Sequence, residues 1–574
     1  MSIRYYLLAF TITWSCFSHA ESTAEKPAEA LPEKPLDYQL VLAGGALKTC
    51  SSMAPNNCKN SDWIDLEKFR TTRYIGISDT AIVQLLDNSL WPKSRHKTRD
   101  ELAEALKTVA DYLHNELGQN ERVTAAQFSD AFKRQSTEEI YYELSDAEWN
   151  RVVDHLELPV PRGQREHVRL ELNKNKASVA IVERFVELAE QANNNPQPNI
   201  LVVTASSRDP LDAVDFYLDL FAQAGAKTTW LPVDAALVAA QQNNDCANLD
   251  AYRAAELGSW QRARVQPRLH QRQLEFCKNP EQAKQLLAKA NGIFFNGGDQ
   301  SLTRKAFINA DNQATELLQM IHTKVLADQL VLGGTSAGTA VMTGKPMISN
   351  GSSRSALIDG AIASEPPSFG CNRDGSCPRN THQDSLTYHP LGGLGLFEYG
   401  IIDTHFSERG RQARLLELVA ETGAPLGVGI DETTALLVNV HSDQVEVLGE
   451  RGVFFITGAK QSDSAVAANF HYLVNGSSAT LRAEEFNSRG LTDVTLSTTG
   501  SVVDDKPTTD FMNARGIIDS LRGLCQTQDQ ISLVNDEFSA QIQMQTATQV
   551  QLSGTECQVL NGIIGLVYQP AKLE

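Results

Sequence analysis

The run Gly334-Thr335-Ser336-Ala337-Gly338 follows an apolar stretch and precedes a helix-forming one. Its G-x-S-x-G spacing in a strand–turn–helix context is that of a nucleophile elbow. A turn that sharp leaves no room for β-carbons beside the serine, and the amide of Ala337, at the start of the following helix, can donate to an oxyanion. The same letters also suit a plain corner, so the serine needs partners before it means attack. His405 stands at the end of the strand-like run "GIID", and Asp431 and Glu432 stand at the end of "GVGIDE". Residues at the carboxyl ends of parallel strands face the ligand crevice. Ser336 would attack a carbonyl, His405 would take and return the proton, and a carboxylate would orient the ring. Spacing alone does not separate Asp431 from Glu432.

Two further stretches lie near these three. "DTHFSERGRQARL" carries Arg409, Arg411 and Arg414 on an expected helix start, with Asp403 beside them. Guanidiniums so placed suit bidentate capture of carboxylates, although a solvated helix face paired with local glutamates is the plainer alternative. "FFNGGDQ" ends another strand with Gly297, Gly298, Asp299 and Gln300, where a backbone amide can approach a reacting carbonyl.

The elements that must position these residues read as an α/β fold, a mostly parallel sheet flanked by helices. Order should begin with "YQLVLAGGAL", a buried strand ending at Gly44 and Gly45. No GxGxxG fingerprint follows, so a nucleotide site is rejected. Strands and helices alternate from 198 onward, and the core is assigned to 37–47 and 198–482. Residues 48–197 read as a helical insertion, core-packed by default and a lid as the alternative. In it, Thr98 to Glu101 and Ser145 to Glu148 have capping-box spacing, and the first opens a helix with Leu102, Leu106, Val109 and Leu113 on one face that closes at Gly118. Residues 483–574 read as a mixed C-terminal extension with one helix around 511–524 and no chemistry.

The chain has 574 residues, 42% hydrophobic and 21% charged, with a net charge of −19. That balance argues for a globular protein and against a nucleic-acid partner, which needs clustered Lys and Arg. Residues 1–20, "MSIRYYLLAFTITWSCFSHA", have the charged, apolar and small-residue order of a secretory signal. Residues 21–36, "ESTAEKPAEALPEKPL", read as a flexible linker. Export to the periplasm or the medium is expected, with no integral membrane segment after cleavage. Eight cysteines then remain, and their sequence-local grouping predicts disulfides Cys50–Cys58, Cys246–Cys277, Cys371–Cys377 and Cys525–Cys557. No motif implies a metal or a cofactor.

Taken in order, "FFNGGDQSLT", "GGTSAGT", "DTHFSERGRQARL" and "GIDETTAL" resemble the cyanophycinase family of serine peptidases, over about half the chain. The resemblance implies a fold related to class I amidotransferase domains, with serine in place of cysteine. It implies hydrolysis of cyanophycin, a poly-aspartate bearing arginine on its side chains, to β-Asp-Arg dipeptides. Carried over position by position, it makes Ser336 the nucleophile, His405 the base and Glu432 rather than Asp431 the third member. It places Gly298 with Ala337 in the oxyanion hole, and Gln300, Asp403, Thr404, Arg409, Arg411 and Arg414 in the substrate pocket. The departures are Thr404 where the family has Gln, SAGT where it has SAGA, and the cysteine-bearing insert "FGCNRDGSCPRNTHQ". None touches the three reacting positions, but they bear on the substrate. The expected partner is cyanophycin or a related Asp/Arg peptide, with a homodimer as an option. The alternatives are a peptidase for other aspartyl or isoaspartyl peptides, and a non-catalytic binding protein on the same fold.

Overall fold

The computed structural model describes residues 36–117, 122–136, 138–462, 464–481, 491–497, 510–526 and 528–570. The expected signal (1–20), the expected linker up to residue 35 and the helix stop at Gly118 lie outside them. None of the described helices is long and apolar enough to cross a membrane.

Five strands form a parallel core: β1 (Leu40–Ala43), β2 (Asn199–Val203), β3 (Lys227–Trp230), β4 (Gly292–Phe295) and β5 (Val331–Thr335). They lie side by side in the order β1-β5-β4-β2-β3. The strands β1, β4 and β5 are buried along their whole length, which is why they read as unbroken apolar runs rather than alternating ones. Alternate residues still divide between two faces. Leu40, Leu42, Leu201, Ile293 and Leu332 pack with Leu318 and Ile321 on one side. Val41, Ile200, Val202, Phe294 and Val331 pack with Ile181, Phe185 and Phe221 on the other. Beyond β1 the sheet continues through antiparallel strands Thr434–Val438, Gln444–Gly449, Ser478–Leu481 and Leu491–Thr495.

The strands leading to His405 and Glu432, β6 (Ile401–Thr404) and β7 (Gly427–Ile430), do not belong to that sheet. They are parallel to each other and open a second, eight-stranded sheet that continues antiparallel through Gly452–Ser462, Ala465–Val474, Glu556–Tyr568, Phe538–Gln543 and Gln530–Asn535, with Gln549–Ser553 paired beside Glu556–Tyr568. The strand-end serine therefore comes from one sheet, and the histidine and carboxylate from another. A buried apolar tetrapeptide has no local mark of which strand it will pair with.

Two domain boundaries move. The helix Lys176–Gln191, inside the expected insertion, packs on the first sheet: Phe185 lies 5.3 Å from Phe221 and 5.4 Å from Phe294, centroid to centroid. Only the chain before it forms a separate helical block, with a core of Leu102, Leu106, Val109, Phe128, Phe132 and Val152. The expected extension 483–574 is not an appendage either. Its strand Leu491–Thr495 edges the first sheet, and Glu556–Tyr568 pairs with Ala465–Val474 inside the second. The place of Glu556–Tyr568 was hidden, because a pairing partner some ninety residues away leaves no local trace.

The box Ser145 to Glu148 forms reciprocally at the start of helix Asp146–Leu156. The one expected at Thr98 does not, since the helix His96–Leu117 has already begun and Thr98 is buried inside it. The four sequence-local cysteine pairs are all disulfides.

Candidate active site

The carboxyl ends of β1, β5, β6 and β7 converge on one point. The amide of Ser336 donates to the carbonyl of Ala43 (3.0 Å), that of His405 to Gly44 (2.8 Å) and that of Thr433 to Gly45 (3.0 Å). The paired glycines after β1 are needed for this closeness. A Cβ on Gly44 would overlap the carbonyl of Asp431, and one on Gly45 would sit 2.5 Å from His405 Nε2. What resembled a nucleotide turn is the floor under the histidine.

Ser336 has φ 54° and ψ −118°, a conformation that costs a non-glycine residue about 1–3 kcal/mol. It lifts Oγ off the end of β5 before the short helix Ala337–Ala340 begins. The flanking glycines serve proximity: a Cβ on Gly334 would run into the carbonyl of Gly338, and one on Gly338 into that of Phe295 on β4. The Ser336 Oγ–H donates to His405 Nε2 at 2.7 Å, and His405 Nδ1–H donates to Glu432 Oε1 at 2.6 Å. Burial pushes the His405 imidazole below its ordinary value, and the hydrogen bond to Glu432 opposes that while the positive charge of Arg409 and Arg411 adds to it. A neutral ring with its Nδ1 proton held by Glu432 leaves Nε2 to accept from the serine. The hydrogen bond from His405 holds the Glu432 carboxyl below the usual carboxylate range.

Asp431, the rival carboxylate, faces away from the histidine. It accepts from the amide of Ser407 (3.0 Å) and the hydroxyl of Tyr472 (2.9 Å) and is fully buried.

A cavity of about 320 Å³ opens over Ser336 and His405, with Gly298, Ala337, Gln300 and Arg409 in its lining. The pocket residues differ in what they have left to offer. Asp403 is buried and already held by Arg414, through Nε at 2.7 Å and Nη2 at 2.5 Å, and by Arg411 at 3.3 Å. Burial alone would raise its carboxyl, but the two guanidiniums outweigh that and hold it low. Asp403 is therefore occupied by its own arginines and not open to a substrate cation. Arg414 also reaches the carbonyl of Gly351, and Arg411 that of Thr404 (2.6 Å). Gln300 Nε2 donates to the carbonyls of Ile348 (2.7 Å) and Ser349 (3.3 Å). Arg409 is exposed. The glutamate-paired helix face is not what forms.

Sequence reasoning missed the support beneath Glu432. The amide of Glu432 donates to Glu408 Oε2 at 2.9 Å. Arg515, from the part of the chain assigned no chemistry, bridges Glu408 (3.2 Å), Asp431 (3.2 Å) and Glu556 (2.8 and 2.9 Å). Burial, with Asp431 nearby, pushes the Glu408 carboxyl up to about 8 against the pull of Arg515. No spacing rule links position 515 to position 432, so no motif signalled it. Among the described residues no group of three or more His, Cys, Asp or Glu side chains is placed to hold a metal ion.

The hydrogen-bonded serine, imidazole and carboxylate at these strand ends have the geometry used by serine hydrolases, and the relatives make this chain a peptidase. The chain is 28% identical over 263 residues to a cyanophycinase of Geminocystis herdmanii (strain PCC 6308), a match covering 46% of this chain and 71% of that one. It is 34% identical over 185 residues to a cyanophycinase of Nostoc sp. (strain PCC 7120), covering 32% of this chain and about half, 51%, of the relative. The chain is related to the cyanophycinase family. A solved peptidase from an acI-B1 Actinobacterium superposes with a TM-score of 0.32 at 19% identity, over 53% of this chain and 93% of that one. No family model matches the chain.

Replacing Gly45 by Ala should slow acylation of Ser336 by a sulfonyl fluoride about 100-fold, because the imidazole must shift by an ångström or so. Mass spectrometry of the serine adduct against time measures it. An unchanged rate would mean that this contact does not hold the histidine in place.

Proposed function

We propose that the chain is an exported serine exopeptidase that hydrolyses cyanophycin to β-Asp-Arg dipeptides. The observation that carries this reading is the Ser336–His405–Glu432 hydrogen-bonded chain under a cavity walled by arginines, in a relative of cyanophycinases. Ser336 Oγ attacks the scissile carbonyl carbon as its proton passes to His405 Nε2, and Glu432 steadies the imidazolium. The amides of Gly298 and Ala337 receive the oxyanion. His405 then protonates the leaving amine, and water enters by the same route to release the acyl group from Ser336.

Recognition is assigned to Gln300, Thr404, Arg409, Arg411 and Arg414, with Asp403 acting on the substrate only through its two arginines. With Asp403 neutralised, the charge this set presents is positive, and it suits the carboxylate of an aspartyl unit. Asp403 is then the strut that aims Arg411 and Arg414. Thr404 presents a shorter side chain than the family's glutamine, which leaves more room at that position. That observation favours, as a second reading, a peptidase for other aspartyl or isoaspartyl peptides. Export rests on the character of residues 1–20 and on four disulfides, which persist in oxidising compartments.

Purified protein incubated with cyanophycin should release β-Asp-Arg, identified by mass. Ser336→Ala should lower the rate by about 1,000-fold or more. Absence of that dipeptide together with cleavage of isoaspartyl peptides would replace the first reading by the second, and undiminished hydrolysis by the alanine variant would sink both. The pH profile is a separate check. The base must be neutral, so kcat/KM should fall as pH drops through a pKa below the ordinary histidine value of 6.5 and be level at pH 7. A midpoint above 7 would contradict a buried base.

A further inference from the structure

One wall of the cavity does not come from a strand end. Pro366, Pro367 and Ser368 line it. They lead into the cysteine-bearing insert, a segment fixed at several points. The disulfide Cys371–Cys377 closes it, and the amide of Gly370 donates to Gln383 Oε1 at 2.9 Å. The helical block grips it from outside. The amide of Asp146 donates to the carbonyl of Phe369 (3.1 Å), and Arg373 Nη1 donates to the carbonyl of Leu144 (2.9 Å). Arg95 donates to the carbonyl of Arg373 (3.1 Å) while its other nitrogens hold Glu148 at 2.8 Å each. Arg95 and Glu148 are both buried. Gly370 lies so near Ser145 that a Cβ there would be 2.9 Å from its Cα.

The same block also pairs its charges with the chain that backs the glycine loop of the cavity. Asp154 and Glu157, at the end of the helix that starts beside Phe369, meet Arg208 (2.6 Å) and Arg262 (3.0 Å), and Arg262 also holds Asp209 (2.6 Å). The chain just before Arg208 backs the glycine loop: the carbonyl of Ser206 accepts from the amide of Asp299 at 2.7 Å and leaves no room for a Cβ on Gly298.

We propose that the helical block is a brace that, by holding the adjoining disulfide loop, fixes Pro366, Pro367 and Ser368 as a rigid wall of the substrate site, and that this wall limits the size of the group admitted to Ser336. The proposal rests on Ser336 being the nucleophile. A prolyl segment that runs straight into a disulfide-closed loop, itself clamped beside a buried ion pair, has little freedom left to rearrange around a ligand. It discriminates by exclusion, as a steric element built against the wrong partner. Pro366, Pro367 and Ser368 bring no charge to the lining, whose cations are Arg409, Arg411 and Arg414.

The test compares two sulfonyl fluorides, phenylmethanesulfonyl fluoride and one bearing a pyrenyl group, as acylators of Ser336. It uses the unaltered protein, a Cys371→Ser/Cys377→Ser variant and an Arg373→Ala variant. Freeing the wall should speed the bulky reagent about fivefold or more and leave the small one within about twofold. A ratio of the two rates unchanged in both variants overturns the proposal. Arg373 is partly exposed and its replacement keeps the disulfide, so that variant carries the test if the double substitution fails to fold. If neither reagent modifies Ser336 in the unaltered protein, the nucleophile assignment falls and the wall proposal falls with it. Adduct formation with an unchanged ratio removes the wall alone.

Discussion

Three successive carbonyls at the end of β1, those of Ala43, Gly44 and Gly45, each accept one amide from a different loop. Those amides belong to Ser336, His405 and Thr433, so one short strand end sets the relative positions of Ser336, His405 and Glu432. It also joins the two sheets, because the serine loop leaves the first and the other two leave the second. The cost is visible in the backbone. Ser336, His405 and Thr433 all have positive φ without being glycine. Such strain persists only where surrounding bonds over-determine it. Here a hydrogen bond to β1 anchors every strained residue.

Buried charge is the second organising element, and around the site it is paired. Asp403 with Arg411 and Arg414 shapes the pocket side of the histidine loop. Arg515 with Glu408, Asp431 and Glu556 shapes the opposite side. Pairs of this kind seldom add much stability over well-packed apolar residues, but removing one partner leaves a charge stranded and is costly. Their geometric effect is plainer: each fork of donors admits one arrangement of carboxylates, and Glu432 hangs from that arrangement by its own amide.

The local elements were legible because their causes are local. The elbow announces itself through Gly334, Ser336 and Gly338, whose spacing reflects contacts within one turn. The capping box at Ser145 spans four residues, and it formed. The parallel core strands showed as continuous apolar runs because both faces are covered. What depended on distant pairing was not legible. Nothing in "GIID" tells that it will open a second sheet, and nothing in residues 510–526 tells that Arg515 will lie behind Glu432. The expected arginine cluster lines the cavity, but Arg411 and Arg414 direct much of their hydrogen bonding at Asp403 from their own loop. The role of Gly44 and Gly45 was hidden for the same reason, since the Asp431 carbonyl and the His405 ring that exclude side chains there arrive more than 350 residues later.

The disulfides have a consequence for how the chain matures. Their sequence separations are 8, 31, 6 and 32, and no pair encloses or straddles another. Eight cysteines could pair in 105 ways. In a chain that is oxidised as it emerges, each cysteine's native partner is simply the next one to appear, so strict consecutive pairing yields the native set without reshuffling. That rule works only if counting starts at Cys50. Were Cys16 still attached and reactive, consecutive pairing would begin one place out of phase and every later bond would be wrong. Early removal of the N-terminal segment would thus be an instruction for disulfide register as well as for destination.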